Sequence, residues 1–256
     1  KAPGTIKSIA SADSLGCHDA LNAISGQLGE LSKEKIIEIE NKSPGTLLCI
    51  ADAAYEGSPN ALNAMSVGLG QLSKDAVIKL EKNTCNTISQ IARAACLGHA
   101  RALNALSNKL ASLSAEEVEE IEINAPGTLV DIIGAAILGN SRALDALSNK
   151  WDQLSLPCLM RLVEQTPPGE LEPLVEVAQL GHETALVATI KKLRSANNDR
   201  RINGLLNKLV NSIVKHIASS KGTELGKKLG ILRVIAEAGW GYLLAEKKGF
   251  HKKKYF

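Results

Sequence analysis

Residues 44–73 read PGTLLCIADAAYEGSPNALNAMSVGLGQLS, and a close variant of this phrase stands 41 residues before it and 41 after. Pro44-Gly45-Thr46 answers to Pro3-Gly4-Thr5, Cys85-Asn86-Thr87 and Pro126-Gly127-Thr128. A fifth copy, Pro168-Gly169-Glu170, follows after a step of 42, with the extra residue assigned to the Pro167-Pro168 pair. Gly16, Gly57, Gly98, Gly139 and Gly181 keep the same register. So do Ala20-Leu21-Asn22-Ala23-Ile24-Ser25 and its counterparts beginning at Ala61, Ala102 and Ala143. Three markers in one register define an internal repeat, with units starting near 3, 44, 85, 126 and 168, and fixed periods of this length belong to stacked supersecondary units.

Each unit reads as three helices. The first begins at Pro-Gly-Thr, where proline suits the opening turn, and carries the stripe Leu47, Ile50, Ala51 and Ala54 in the second copy. It stops at the repeated glycine, a good left-handed cap. The second runs from about Ser58 to Leu72, with Ala61, Leu62, Met65, Leu69 and Leu72 on one face. The third is short and starts at Ser32, Ser73, Ser114 or Ser155; Ser114-Ala115-Glu116-Glu117 has the form of a capping box. No unit buries its apolar faces alone, and stacking makes one continuous core. The expected fold is all-α: a right-handed α-solenoid of about five three-helix repeats with a C-terminal helical cap.

Residues 128–154 (TLVDIIGAAILGNSRALDALSNKWDQL) resemble the last two helices of an armadillo repeat, and the period lies in the armadillo and HEAT range. The resemblance is one of pattern and covers residues 1 to about 193. It implies an α-solenoid that binds extended peptides or proteins, some HEAT-type relatives binding nucleic acid. The richness in small residues and the lack of groove tryptophans depart from the peptide-binding armadillo pattern and argue against a nuclear-import-like peptide site.

Composition narrows the classes. Charged residues at 22% are too few for a disordered polyelectrolyte. Aromatics at 3% disfavour both a β-sandwich and a stacking platform for single-stranded nucleic acid. No run of 18 apolar residues occurs, so no transmembrane helix is expected. Cys17, Cys49, Cys85, Cys96 and Cys158 form no CxxC pair, and no histidine pair has zinc-site spacing. Such cysteines fit a reducing compartment, and the expected location is a cytoplasm. The chain opens at Lys1-Ala2-Pro3, at the first helix of a unit, which leads us to expect a piece of a longer array.

After Leu193 the period fades. Ser195 to Asp199 reads as a loop, Arg201 to Ser219 as a helix striped by Ile202, Leu205, Leu206, Leu209, Ile213 and Ile217, and Thr223 to Glu246 as a last helix. Residues 1–193 are thus assigned to the repeats and 194–256 to a basic cap and tail. Residues 191–256 carry a net charge of +12 and residues 1–190 a net charge of −9. The basic candidates are Lys191, Lys192, Arg194, Arg200, Arg201, Lys208 and the tail lysines Lys252, Lys253 and Lys254. They read either as a solvated cap or as an attachment for phosphates or anionic lipid whose affinity falls steeply with salt.

One polar column stands out. Asn22, Asn63, Asn104 and Asp145 recur on the second helix, with Ser25, Ser66, Ser107 and Ser148 three residues on, along the same face. Asn both donates and accepts, so the column reads as a ladder lining a groove for an extended partner, or as a ladder bonding adjacent repeats. The triplets after each turn glycine, such as Ser58-Pro59-Asn60 and His99-Ala100-Arg101, vary and read as specificity loops or as tolerant N-caps. The acidic run Glu116, Glu117, Glu119, Glu120 and Glu122 reads as a solvated face. No phosphate loop, nucleophile elbow or metal-binding helix motif is present, and no cofactor or metal is expected. The expectation is a non-catalytic scaffold that binds a protein or extended peptide. The alternatives are a nucleic-acid-binding repeat protein using the basic C-terminal region, and the repeat part of a larger enzyme.

Overall fold

The computed structural model describes residues 4–165, 172–196 and 200–219. All regular structure among them is α-helical, in sixteen helices, and the chain divides after Lys150 into two compact units. In the first unit, repeat one supplies α1 (Thr5–Asp13), α2 (His18–Gly29) and α3 (Lys33–Lys42). Repeat two supplies α4 (Thr46–Tyr55), α5 (Asn60–Ala64), α6 (Ser66–Gly70) and α7 (Lys74–Asn83). Repeat three supplies α8 (Thr87–Cys96), α9 (Arg101–Ser112) and α10 (Ala115–Asn124), and repeat four opens with α11 (Thr128–Ile137) and α12 (Arg142–Leu147). The second unit holds α13 (Leu156–Gln165), α14 (Glu172–Gln179), α15 (Thr184–Ser195) and α16 (Arg200–Ser219).

Equivalent helices pack on one another. In the first unit α4 lies against α1 and α8, and α8 against α11; α2 meets α5, α6 meets α9, α9 meets α12, and α7 meets α10. The contacts between the first helices are mainly apolar. Leu47, Ile50, Ala51 and Ala54 of α4 and Ile91, Ala92 and Ala95 of α8 are essentially without solvent contact. Each Leu or Ile so buried contributes about 1.5–3 kcal/mol, and the alanines between them let the helices approach. In the second unit the four helices pack together, with Ile202, Leu205, Leu206, Leu209 and Ile213 of α16 buried as the stripe requires.

The third helices begin where the sequence says. Ser32, Ser73 and Ser114 accept backbone N–H groups from Lys35, Ala76 and Glu117, and Ser114 with Glu117 completes the capping box. Two expectations need revision. The second helix of repeat two breaks at Met65 into α5 and α6. Gly68 and Gly70 lower its helix propensity, and Gly68 cannot be larger: a Cβ there would lie 2.6 Å from both the Leu31 carbonyl oxygen and Ile36 of the preceding repeat. The first helix, in turn, starts at threonine and not at proline. Gly45, Asn86 and Gly127 precede it as N-caps in the left-handed region, at φ 84°, 79° and 95°. The proline stands outside the helix, and the residue after it must turn the chain, which favours Gly or Asn.

A buried carboxylate closes each of these turns. Glu40 accepts the N–H of Gly45 at 3.0 Å and of Leu47 at 2.5 Å. Glu81 accepts from Asn86 at 2.6 Å and Ile88 at 2.9 Å, and Glu122 from Gly127 at 2.7 Å and Leu129 at 2.9 Å. All three are 5% exposed or less. Glu122 therefore leaves the solvated acidic run to which the sequence assigned it. Glu117 and Glu120 of that run pair with Lys74 and Lys82 of the preceding repeat, at 2.9 and 2.7 Å. The threonine between the two N–H donors returns a bond: Thr46, Thr87 and Thr128 donate to the carbonyls of Ser43, Thr84 and Ala125. N–H groups that a helix start leaves unbonded are thus satisfied by a negative charge at the positive end of the helix dipole. Burial pushes the Glu40 and Glu81 carboxyls above their usual range, against the opposing pull of these N–H bonds. Glu164 stands five residues before Gly169, the same spacing as the other three, but residues 166–171, with the expected insertion at Pro167-Pro168, lie outside the described residues. So do the expected helix at 223–246 and the tail lysines Lys252, Lys253 and Lys254.

Removing one clamp strands two buried donors, whereas removing an exposed ion pair strands none. Glu81→Ala should lower unfolding free energy by about 1–3 kcal/mol in urea denaturation, and Glu120→Ala by about 1 kcal/mol or less. Equal losses would refute the clamp's importance.

Candidate functional site

The 41-residue translation lines up polar side chains along two helix layers. On the second-helix layer, Asn22, Asn63 and Asn104 are half-buried and Asp145 is exposed. Ser25, Ser66 and Ser148 are half-buried and Ser107 is 7% exposed. The helices that carry them pack in succession, so the column runs across all four repeats of the first unit. Its members differ in their bonding. Asn22 Oδ1 accepts from Asn60 Nδ2 of the next repeat at 3.0 Å. Asp145 Oδ2 accepts from Ser141 at 2.9 Å. Ser25 and Ser107 donate back to the carbonyls of Asn22 and Asn104, both at 2.7 Å. The Oδ1 atoms of Asn63 and Asn104 are buried and have no hydrogen-bond partner. Ser25 and Ser107 are thus satisfied within their own helices, while the Oδ1 atoms of the two central asparagines are not.

On the first-helix layer a seam of charge appears that the sequence reading passed over. Arg93 of α8 lies 4.6 Å from the centre of the Tyr55 ring of α4, within cation–π range. Ser89 donates to Asp131 of α11 at 2.5 Å. Burial raises the carboxyls of Asp52 and Asp131 above their usual range, and the Arg93 charge pulls both back. Ser11 reaches Cys49 at 3.3 Å. Burial also raises the Cys96 thiol, which blunts its reactivity. Aligning the repeats position by position shows the signal: Ser11, Asp52 and Arg93 share one column, and Cys49, Gln90 and Asp131 another, within otherwise apolar helices.

The basic candidates do not gather into one free set. Arg201 holds Glu164 with two bonds of 2.6 Å, and Lys192 donates to the carbonyls of Asp152 and Leu154. Lys191, Arg194, Arg200 and Lys208 are exposed. Among the described residues no group of His, Cys, Asp or Glu is disposed to hold a metal ion, all five cysteines are free, and no helix is long and apolar enough to cross a membrane. Compared with protein-family models, curated proteins and solved structures, the chain matches none of them.

Two measurements probe these layers. An unpartnered buried acceptor costs stability, so Asn63→Ala and Asn104→Ala should leave the unfolding free energy within about 0.5 kcal/mol of the parent or raise it, whereas Asn22→Ala should lower it by about 0.5–1.5 kcal/mol. A loss for all three would make the column a structural ladder. On the seam, the raised Asp131 carboxyl contributes stability that is present below its ordinary value of 3.8 and is lost as pH rises through the raised one. Arg93→Gln removes the charge that pulls it down. Carbon-13 titration should then show Asp131 ionising at still higher pH, with that window moved upward; no movement would disprove the coupling.

Proposed function

We propose that the chain is an α-solenoid of the armadillo/HEAT kind, non-catalytic, whose repeats bind a protein or extended peptide along the second-helix column. The observation that carries this reading is the pair of unpartnered acceptors at equivalent positions of adjacent repeats, Asn63 Oδ1 and Asn104 Oδ1. An extended backbone offers N–H donors at regular intervals, and an amide side chain that turns toward it exchanges an unmet acceptor for a bond. Apolar neighbours such as exposed Val67 supply contact area. The repeats assigned to 1–193 form the scaffold and 194–256 the cap. Two of the basic candidates, Lys192 and the cap's Arg201, are spent on internal bonds, which weakens the nucleic-acid alternative.

The test selects binders from a displayed library of random 16-residue peptides and measures them by fluorescence anisotropy on the parent and the Asn63→Ala, Asn104→Ala double variant. Two lost hydrogen bonds should weaken binding about tenfold or more, with little dependence on salt. In parallel, random duplex DNA, single-stranded DNA and RNA are titrated across a salt series. Peptides bound equally by parent and variant would overturn the reading, as would nucleic-acid binding that falls log-linearly with salt in the absence of any peptide binding.

A further inference from the structure

The forward face of repeat one is an open apolar groove. A volume of about 460 Å³ is lined by Ile6 and Ile9 of α1, Ile24 and Leu28 of α2, Leu31, and Ile39 of α3. Ile6, Ile9, Ile24, Leu31 and Ile39 all retain solvent contact. One repeat on, Leu47, Ile50, Met65, Leu69 and Leu72 occupy the positions of Ile6, Ile9, Ile24, Leu28 and Leu31, and none is more than 3% exposed. The same holds two repeats on, for Ile88, Ile91, Leu106, Leu110 and Leu113.

What covers those positions is visible in the fold. Leu47, Ile50 and Met65 face Leu28, Leu31, Ile36 and Ile39 of the preceding repeat across a residual cavity of about 10 Å³. That is room for no more than a single water, so the contact is filled. A polar contact marks the same junctions: Glu120 accepts Lys82 of the preceding repeat at 2.7 Å, and Lys79, at the equivalent position of repeat two, donates to Asn41 of the preceding repeat at 3.2 Å. Glu38 holds the position of Glu120 at the rim of the open groove. It is bonded within its own helix by Lys35 and Lys42, both at 2.6 Å, which hold its carboxyl down at about 2. The groove thus has the apolar lining of the face by which repeats two and three meet the preceding repeat, and the rim acid of repeat three.

We infer that the forward face of repeat one docks the rear face of another helical repeat of the same construction, one that offers a Leu/Ile cluster from the end of its second helix and from its third helix, with a lysine opposite Glu38. This interface continues the one formed between repeats one and two, two and three, and three and four. It uses a different face and different residues from the peptide column, and stands or falls separately from it.

The test places a copy of residues 44–84 ahead of Pro3 in the full chain, which preserves the register and sets its Lys82 equivalent opposite Glu38. Hydrogen exchange of the α1 and α2 amides should slow about tenfold or more, and the unfolding temperature should rise. Ile24→Asp in the extended chain should remove both gains. Unchanged exchange in α1 and α2, with the added segment exchanging as an unfolded chain, would overturn the proposal. Sedimentation equilibrium of the unextended chain supplies the other arm. A monomer is expected; a dimer abolished by Ile24→Asp would mean that the face takes a second copy by a different contact and would also overturn it.

Discussion

A carboxylate taken out of water is tolerable only where donors already wait for it. In this chain the donors are the first backbone N–H groups of the next repeat, and Glu40, Glu81 and Glu122 each span two of them. The arrangement joins the last turn of one short helix to the start of the next through a left-handed turn and a threonine that bonds backward. Five residues separate the acid from the turn, so the angle between the third helix and the following first helix is set locally, the same way three times. That repeated angle is what makes position 41 residues on an equivalent position in space.

Equivalence turns single side chains into columns, and columns are the units on which this protein can act. An asparagine that is unremarkable alone becomes, in register, one rung of a series crossing four repeats. The rungs are not uniform: the first is tied to Asn60, the last to Ser141, and the two between hold unmet acceptors. The same translation produces the Arg93 seam, where one cation serves two carboxyls on neighbouring helices and an aromatic ring. The regular bonds hold the frame, and the departures from regularity are where recognition is proposed.

The helices, their order and their serine starts were legible because these signals are local. A serine cap is written in the residue itself and its third neighbour, and a helix face in the spacing of Leu, Ile and Ala. The clamp was not legible, because its glutamates sit in helices that carry other charged residues, and nothing in Glu119-Glu120-Ile121-Glu122 distinguishes the one that turns inward. Its signature is the distance from each acid to the turn, which emerges only when the repeats are aligned on the glycine. The break at Met65 was hidden for a similar reason: it reflects how closely Leu31 and Ile36 approach Gly68 from the neighbouring repeat, a tertiary fact. The asparagine column was visible as a pattern, but whether each amide was satisfied depended on neighbours that the pattern does not name.

The three junctions are alike in geometry and unlike in composition. Two of them follow proline with glycine, which suits the left-handed turn, while proline also narrows the unfolded chain. The middle one uses Cys85 and Asn86, and Asn86 is the only residue other than glycine among those described with positive φ. Asparagine holds that conformation at a cost glycine does not bear, and without proline the loosened segment has more freedom to gain. Because each repeat touches only its neighbours, a tension applied along the stack is carried in series through every junction. Among the three junctions, the one at Cys85-Asn86, which has neither the glycine nor the proline of the other two, is the one expected to yield first under such a tension.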